Sequence, residues 1–141
     1  MQTNHIDTLL HTLHTGQHSL VVAKDGAVHT FDGPGVSDLL HLLRECPTLL
    51  AGAAVADKII GKAAAALMIC GGVSAVSTDI ISTSALALFR QHGIEPSYAQ
   101  EVHHIINRAH DGWCPLERTC YDLQQPEAIH QAILAFIQAR R

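Results

Sequence analysis

The chain has 141 residues, 48% of them apolar and 16% charged, with a net charge of −4. That length and apolar content are those of one domain with a real core, and they exclude a disordered chain. The acidic balance excludes a general nucleic-acid footprint, and 4% aromatic residues leave no base-stacking platform. Met1-Gln2-Thr3-Asn4-His5 lacks the basic-then-apolar pattern of a secretory leader. The longest uncharged apolar run, Ala63 to Val73, is far short of a membrane span. A soluble, cytoplasmic protein with no nucleic-acid or membrane partner is expected. Its cysteines, Cys46, Cys70, Cys114 and Cys120, are expected as free thiols.

In chain order, His5 to Thr15 places Ile6, Leu9, Leu10 and Leu13 at helical spacing, and Gly16 stops the helix. Ser19 to Ala23 is an apolar strand, Lys24-Asp25-Gly26 is a hairpin turn, and Ala27 to Phe31 is the returning strand. Gly33-Pro34-Gly35 breaks the chain before a helix over Val36 to Arg44, which Cys46-Pro47 ends. Leu50 to Ala56 reads as a buried strand or connector feeding a helix from Asp57 to Cys70, closed by Gly71-Gly72. Val73 to Ile81 is a strand, and Ser82 or Thr83 caps a helix ending near His92-Gly93. Ile94 to Val102 holds a short strand, and His103 to Gly112 is less regular. Cys114-Pro115 opens a helix towards Tyr121, with proline in its first turn, and Gln125-Pro126-Glu127 starts the last one. A hairpin followed by alternating helices and strands implies an α/β fold, a three-layer α/β/α sandwich around a mixed sheet. Residues 1–17 form an N-terminal helical extension on this reading, and 18–141 form the domain.

The most informative stretch runs from Ala56 to Ala66, Ala-Asp-Lys-Ile-Ile-Gly-Lys-Ala-Ala-Ala-Ala. Read as helix, it pairs Asp57 with Gly61 and Lys58 with Lys62 on shared faces. It thus puts one carboxylate and two amines in the first turn of an apolar helix, where free N–H groups and the positive dipole end gather. Later in the chain, Cys114 sits at a helix start, where a thiolate is stabilised. Glu117, three residues on, can complete a capping box on the same helix. Asn107-Arg108 precedes an Asp111-Gly112 turn, and an arginine there suits phosphate or carboxylate. Asp57, Lys58, Lys62, Asn107, Arg108, Cys114 and Glu117 are therefore the candidate site.

These blocks resemble a family of prokaryotic proteins, a domain of unknown function placed in the cytidine-deaminase-like superfamily. The resemblance rests on Ser19-Leu20-Val21-Val22, Lys24-Asp25-Gly26, Ala56-Asp57-Lys58-Ile59-Ile60-Gly61-Lys62-Ala63-Ala64, Ile105-Ile106-Asn107-Arg108 and Cys114-Pro115-Leu116-Glu117. It covers roughly residues 18 to 138 and implies a deaminase-like α/β/α fold without implying an activity. Zinc deaminases need His or Cys two residues before Glu at one helix start, and Pro-Cys-x-x-Cys at the next. This chain offers Ala56-Asp57-Lys58 and Ser82-Thr83-Ser84-Ala85-Leu86 at those places. Zinc chemistry, and any metal or other cofactor, is therefore not expected.

Two further clusters carry less. Cys114 and Cys120 are six apart, too far for the usual zinc spacing. His11, His14 and His18 have helical spacing, but Gly16 interrupts the helix, so they read as surface residues, and adjacent His103 and His104 would face opposite ways on a strand. The leading expectation is a deaminase-fold protein that binds a small anionic ligand, a nucleotide or nucleoside derivative. Asp57 orients it, Lys58 or Lys62 neutralises its charge, and Arg108 clamps a phosphate. The alternatives are a non-zinc enzyme using Cys114 or Asp57 as catalytic groups, and a homo-oligomeric interaction module built on the apolar Leu50 to Val73 stretch.

Overall fold

The computed structural model describes residues 2–33, 36–105, 112 and 114–139. Its sheet starts from a hairpin. β1 (Leu20–Lys24) turns back into β2 (Ala27–Phe31) through Asp25 and Gly26, whose φ angles of 51° and 81° are both left-handed. A two-residue turn of this kind matches the natural twist of the strands it joins, and glycine adopts it without strain. β3 (Ala54–Ile60), β4 (Ala75–Ser82) and β5 (Ser97–Val102) complete a five-stranded sheet in the order β2-β1-β3-β4-β5. β1 is antiparallel to both its neighbours, whereas β3, β4 and β5 run parallel. The sheet is mixed and flanked by helices, as the alternation of elements implies.

The helices are α1 (Gln2–Thr15), α2 (Ser37–Glu45), α3 (Pro47–Leu50), α4 (Lys62–Gly71), α5 (Thr83–Gln91), α6 (Pro115–Cys120) and α7 (Pro126–Ala139). The main core joins Leu20 and Val22 of β1, Val55 of β3 and Val76 of β4 to Leu39 and Leu42 of α2, α4, Phe89 of α5, and Ile129 and Ile133 of α7. A smaller core lies on the opposite face, where Leu9 and Leu13 of α1 cover Val21, Ala23 and Ala56. β1 is thus apolar on both sides, which is why Leu20 to Ala23 reads as a continuous run rather than an alternation. α4 is buried from Lys62 to Met68, and its four alanines let neighbouring elements approach closely on all sides. At its end a Cβ on Gly71 would come within 2.8 Å of Leu50 Cβ, and Gly72, with φ of 83°, supplies the left-handed cap.

One sequence expectation changes here, and one element was not foreseen. Asp57 and Lys58 lie on β3, not on a helix, because backbone pairing on both sides decides the matter: Asp57 stands opposite Leu20 of β1 and Thr78 of β4. The helix starts five residues later, at Lys62, with Gly61 as an extended N-cap at the strand-to-helix corner. The shared helical faces of Asp57 with Gly61 and of Lys58 with Lys62 therefore do not exist. The unforeseen element is a four-residue helix, α3, opened by Pro47, which lies between the helix that Cys46-Pro47 ends and the strand or connector expected from Leu50. Much of the apolar stretch from Leu50 to Val73 lies in this chain's own core, with Ile59 exposed. Among the described residues no helix is long and apolar enough to cross a membrane.

Leu67 is fully buried at the centre of α4. Leu67→Ala is expected to cost about 3 kcal/mol through lost transfer energy and the cavity it leaves. In urea unfolding the midpoint should fall with the slope unchanged.

Candidate functional site

The site is built where β3 runs into α4. The first N–H groups of α4 have no partner within the helix, and a buried helix start needs one. It comes from Glu117, a residue of α6 only 2% exposed. The Lys62 N–H donates to Glu117 Oε1 at 3.0 Å, and the Ile105 N–H donates to Oε2 at 3.0 Å. The Ser84 hydroxyl, in the first turn of α5, donates to Oε1 at 3.4 Å. One carboxylate thus fastens the starts of α4 and α5 and the segment after β5 together. Gly61 makes room for it, since a Cβ there would lie 3.0 Å from Glu117 Oε2. Sequence spacing assigned Glu117 to a capping box on its own helix, but it caps a helix 55 residues earlier in the chain. Charge-assisted bonds to backbone N–H groups are strong, and the positive end of α4 makes them stronger.

Asp57 lies beside this junction. Burial pushes its carboxyl up from 3.8 to about 7, against the opposing pull of the Ile59 and Lys58 N–H groups. It lines a largely apolar cleft of about 410 Å³ together with Lys58, Ile59, Lys62, Cys114 and Glu117. The structure therefore brings five of the seven candidate residues to one place. Asn107 and Arg108 lie outside the described residues. The five have unequal freedom. Lys58 is exposed. Lys62 is buried, burial lowers the pKa of its amine, and its Nζ donates to the Tyr121 carbonyl at 2.8 Å. Glu117 has both oxygens engaged with protein donors. Cys114 precedes α6, and its N–H donates to the Ile105 carbonyl at 2.7 Å.

Sequence reasoning missed Ser84, the Ile105 N–H and the Tyr121 carbonyl. Ser84 belongs to a visible helix-start cluster, Ser82-Thr83-Ser84, whose cap is Ser82: its Oγ accepts the Ala85 N–H at 3.2 Å. The two backbone groups leave no trace in residue identity. The other histidines and cysteines do not converge. His14 Nε2 meets Asp79 Oδ2 and His18 Nδ1 meets Asp32 Oδ1, each at 2.7 Å, while His11 lies near Thr15. All four cysteines are free thiols, and burial raises that of Cys120 to about 11. Among the described residues no three metal-binding side chains gather.

Residues 8–137 match the family model described as "TM1506: Domain of unknown function (DUF1893)". The chain belongs to the DUF1893 family. A crystal structure of a DUF1893 family protein (TM1506) from Thermotoga maritima is similar to this one, with a TM-score of 0.85 over 94% of this chain and 89% of that one. The two are 23% identical, so this likeness speaks for the fold alone. No curated protein matches the DUF1893 chain. The starts of α4 and α5 are also where the resemblance drawn from the sequence would place zinc ligands. They offer Gly61-Lys62 and Ser82-Thr83-Ser84, and a carboxylate already bonded to two N–H groups fills the space at α4. Lysine and serine do not hold zinc, and these residues do not fit that metal.

Two measurements check this site. Glu117→Ala leaves two partly or fully buried N–H groups without acceptors and is expected to cost about 3 kcal/mol in urea unfolding, with Glu117→Gln costing less. For Asp57 the folded protein binds the extra proton, so stability falls as pH rises from about 4 to about 7 and is level above that. Asp57→Asn mimics the protonated form. It should be more stable than the wild type at pH 8, with the advantage fading as pH approaches 4.

Proposed function

We propose that this chain binds a small nucleoside-like molecule in the Asp57 cleft, on a cytidine-deaminase-like scaffold that works without zinc. The scaffold reading is supported by two neighbouring parallel strands, β3 and β4, each leading directly into a helix, at Gly61-Lys62 and Ser82-Thr83. Open α/β sheets bind ligands beyond the carboxyl ends of such strands.

The observation that carries the proposal is Asp57. A carboxyl near pKa 7 is present in both forms at neutral pH, so it can donate an O–H bond or accept one. In an apolar cleft that suits the edge of a nitrogen heterocycle, where donors and acceptors alternate. The cleft's volume is in the range of small-molecule sites. The anionic part of the sequence-based expectation needs a different carrier, because Glu117 already occupies the start of α4. Lys58, exposed on the lining, is left to meet a ligand's negative charge. A second reading, a non-zinc enzyme, draws on the same carboxyl, since a pKa near the working pH suits general acid–base chemistry. Cys114 lines the same cleft and is the candidate nucleophile on that reading.

Native mass spectrometry of protein purified without added ligand, followed by calorimetric titration with the four common ribonucleosides and their 5′-monophosphates, tests the proposal. At least one compound should bind, with Asp57→Ala weakening it more than tenfold while the circular dichroism spectrum is unchanged. Unaltered binding by Asp57→Ala would move the site elsewhere, and no binding by any of the eight would end the nucleoside reading.

A further inference from the structure

Lys62 lines a second cleft as well, of about 430 Å³, outside the site described above. Thr83 and Ser84 at the start of α5, His103, Asp122 and Gln124 also line it. Lys62 is 4% exposed, yet it forms no ion pair among the described residues. An ammonium carries three donors, and the Tyr121 carbonyl takes one. Glu117, the acid beside it, has its oxygens on the Lys62 and Ile105 N–H groups and the Ser84 hydroxyl. A buried cation lacking a bonded counter-charge is costly, and its charged form is held back until one arrives. Among the described residues the remaining polar lining is hydroxyl, imidazole and amide, all able to donate to an oxyanion, with Asp122 as the single carboxylate.

We propose that this second cleft binds a small organic oxyanion, a carboxylate or a phosphate ester, with Lys62 as its counter-charge and the first turn of α5 as its other wall. The site is independent of Asp57 and of any nucleoside, so either reading can fail alone. Lys62 lines both clefts, and its Nζ bonds the carbonyl of Tyr121, which lines the second one.

The test is amide chemical-shift mapping on the full chain with benzoate, phenyl phosphate and uncharged benzyl alcohol. Saturable shifts at Ser84, Tyr121 and Gln124 with an anion, and none with the alcohol, support the site, and the anion that binds tells carboxylate from phosphate. Lys62→Gln should weaken that anion at least tenfold. Equal shifts with benzyl alcohol, shifts confined to residues of the Asp57 cleft, or no shifts at all overturn it, as does unchanged binding by a folded Lys62→Gln. Should that variant not fold, the wild-type map decides by itself.

Discussion

The arrangement of this end of the molecule depends on one carboxylate. Glu117 accepts N–H groups from the first residue of α4 and from the segment following β5, and a hydroxyl from α5. Without it the Lys62 N–H would be a buried donor lacking its acceptor, and the start of α4 would face into the protein with its dipole uncompensated. The same bond explains Gly61, which has no Cβ to obstruct Glu117. Glu117 thus fills the position to which the dipole of α4 would draw an anion.

With that end of α4 closed, the remaining chemistry belongs to groups whose charge is weakened by burial. Asp57 is pushed towards its neutral acid and Lys62 towards its neutral amine, in both cases chiefly by desolvation. They serve different clefts: the first is mostly apolar beside Asp57, the second is lined by hydroxyl, imidazole and amide groups beside the Lys62 amine. Shifted ionisable groups at concave sites are a recurrent signature of binding and catalytic function, although structural networks shift them too. Glu117 has its carboxylate engaged by donors from three segments of the protein, whereas Asp57 lines an apolar cleft.

Much of this was legible in the residues. Asp25-Gly26 announced the hairpin, Ser82 announced the start of α5, and Pro115 and Pro126 announced α6 and α7. The boundary between β3 and α4 was not. Ala54 to Ile60 mixes small residues with charged ones and carries no clean alternation, because β3 is central and its far end turns into the site. Local propensity then favoured helix, and pairing with β1 and β4 overrode it. The grouping of Asp57, Lys58, Lys62, Cys114 and Glu117 survived the error, since the corner at Gly61 keeps strand end and helix start side by side. Their surroundings differ: Glu117 is engaged by the protein, and Lys62 Nζ donates to the Tyr121 carbonyl.

By itself the sequence determined the inventory: which segments are apolar enough to be core, where turns and caps fall, and which few residues could do chemistry. These follow from short-range rules that act within a turn of helix or a pair of strands. Only the tertiary structure decided which of those residues meet, because Glu117 reaches Lys62 across 55 residues and bonds to backbone groups that every residue type carries alike. It decided the protonation tendencies too, because burial is a property of the packed molecule and is written in no single residue.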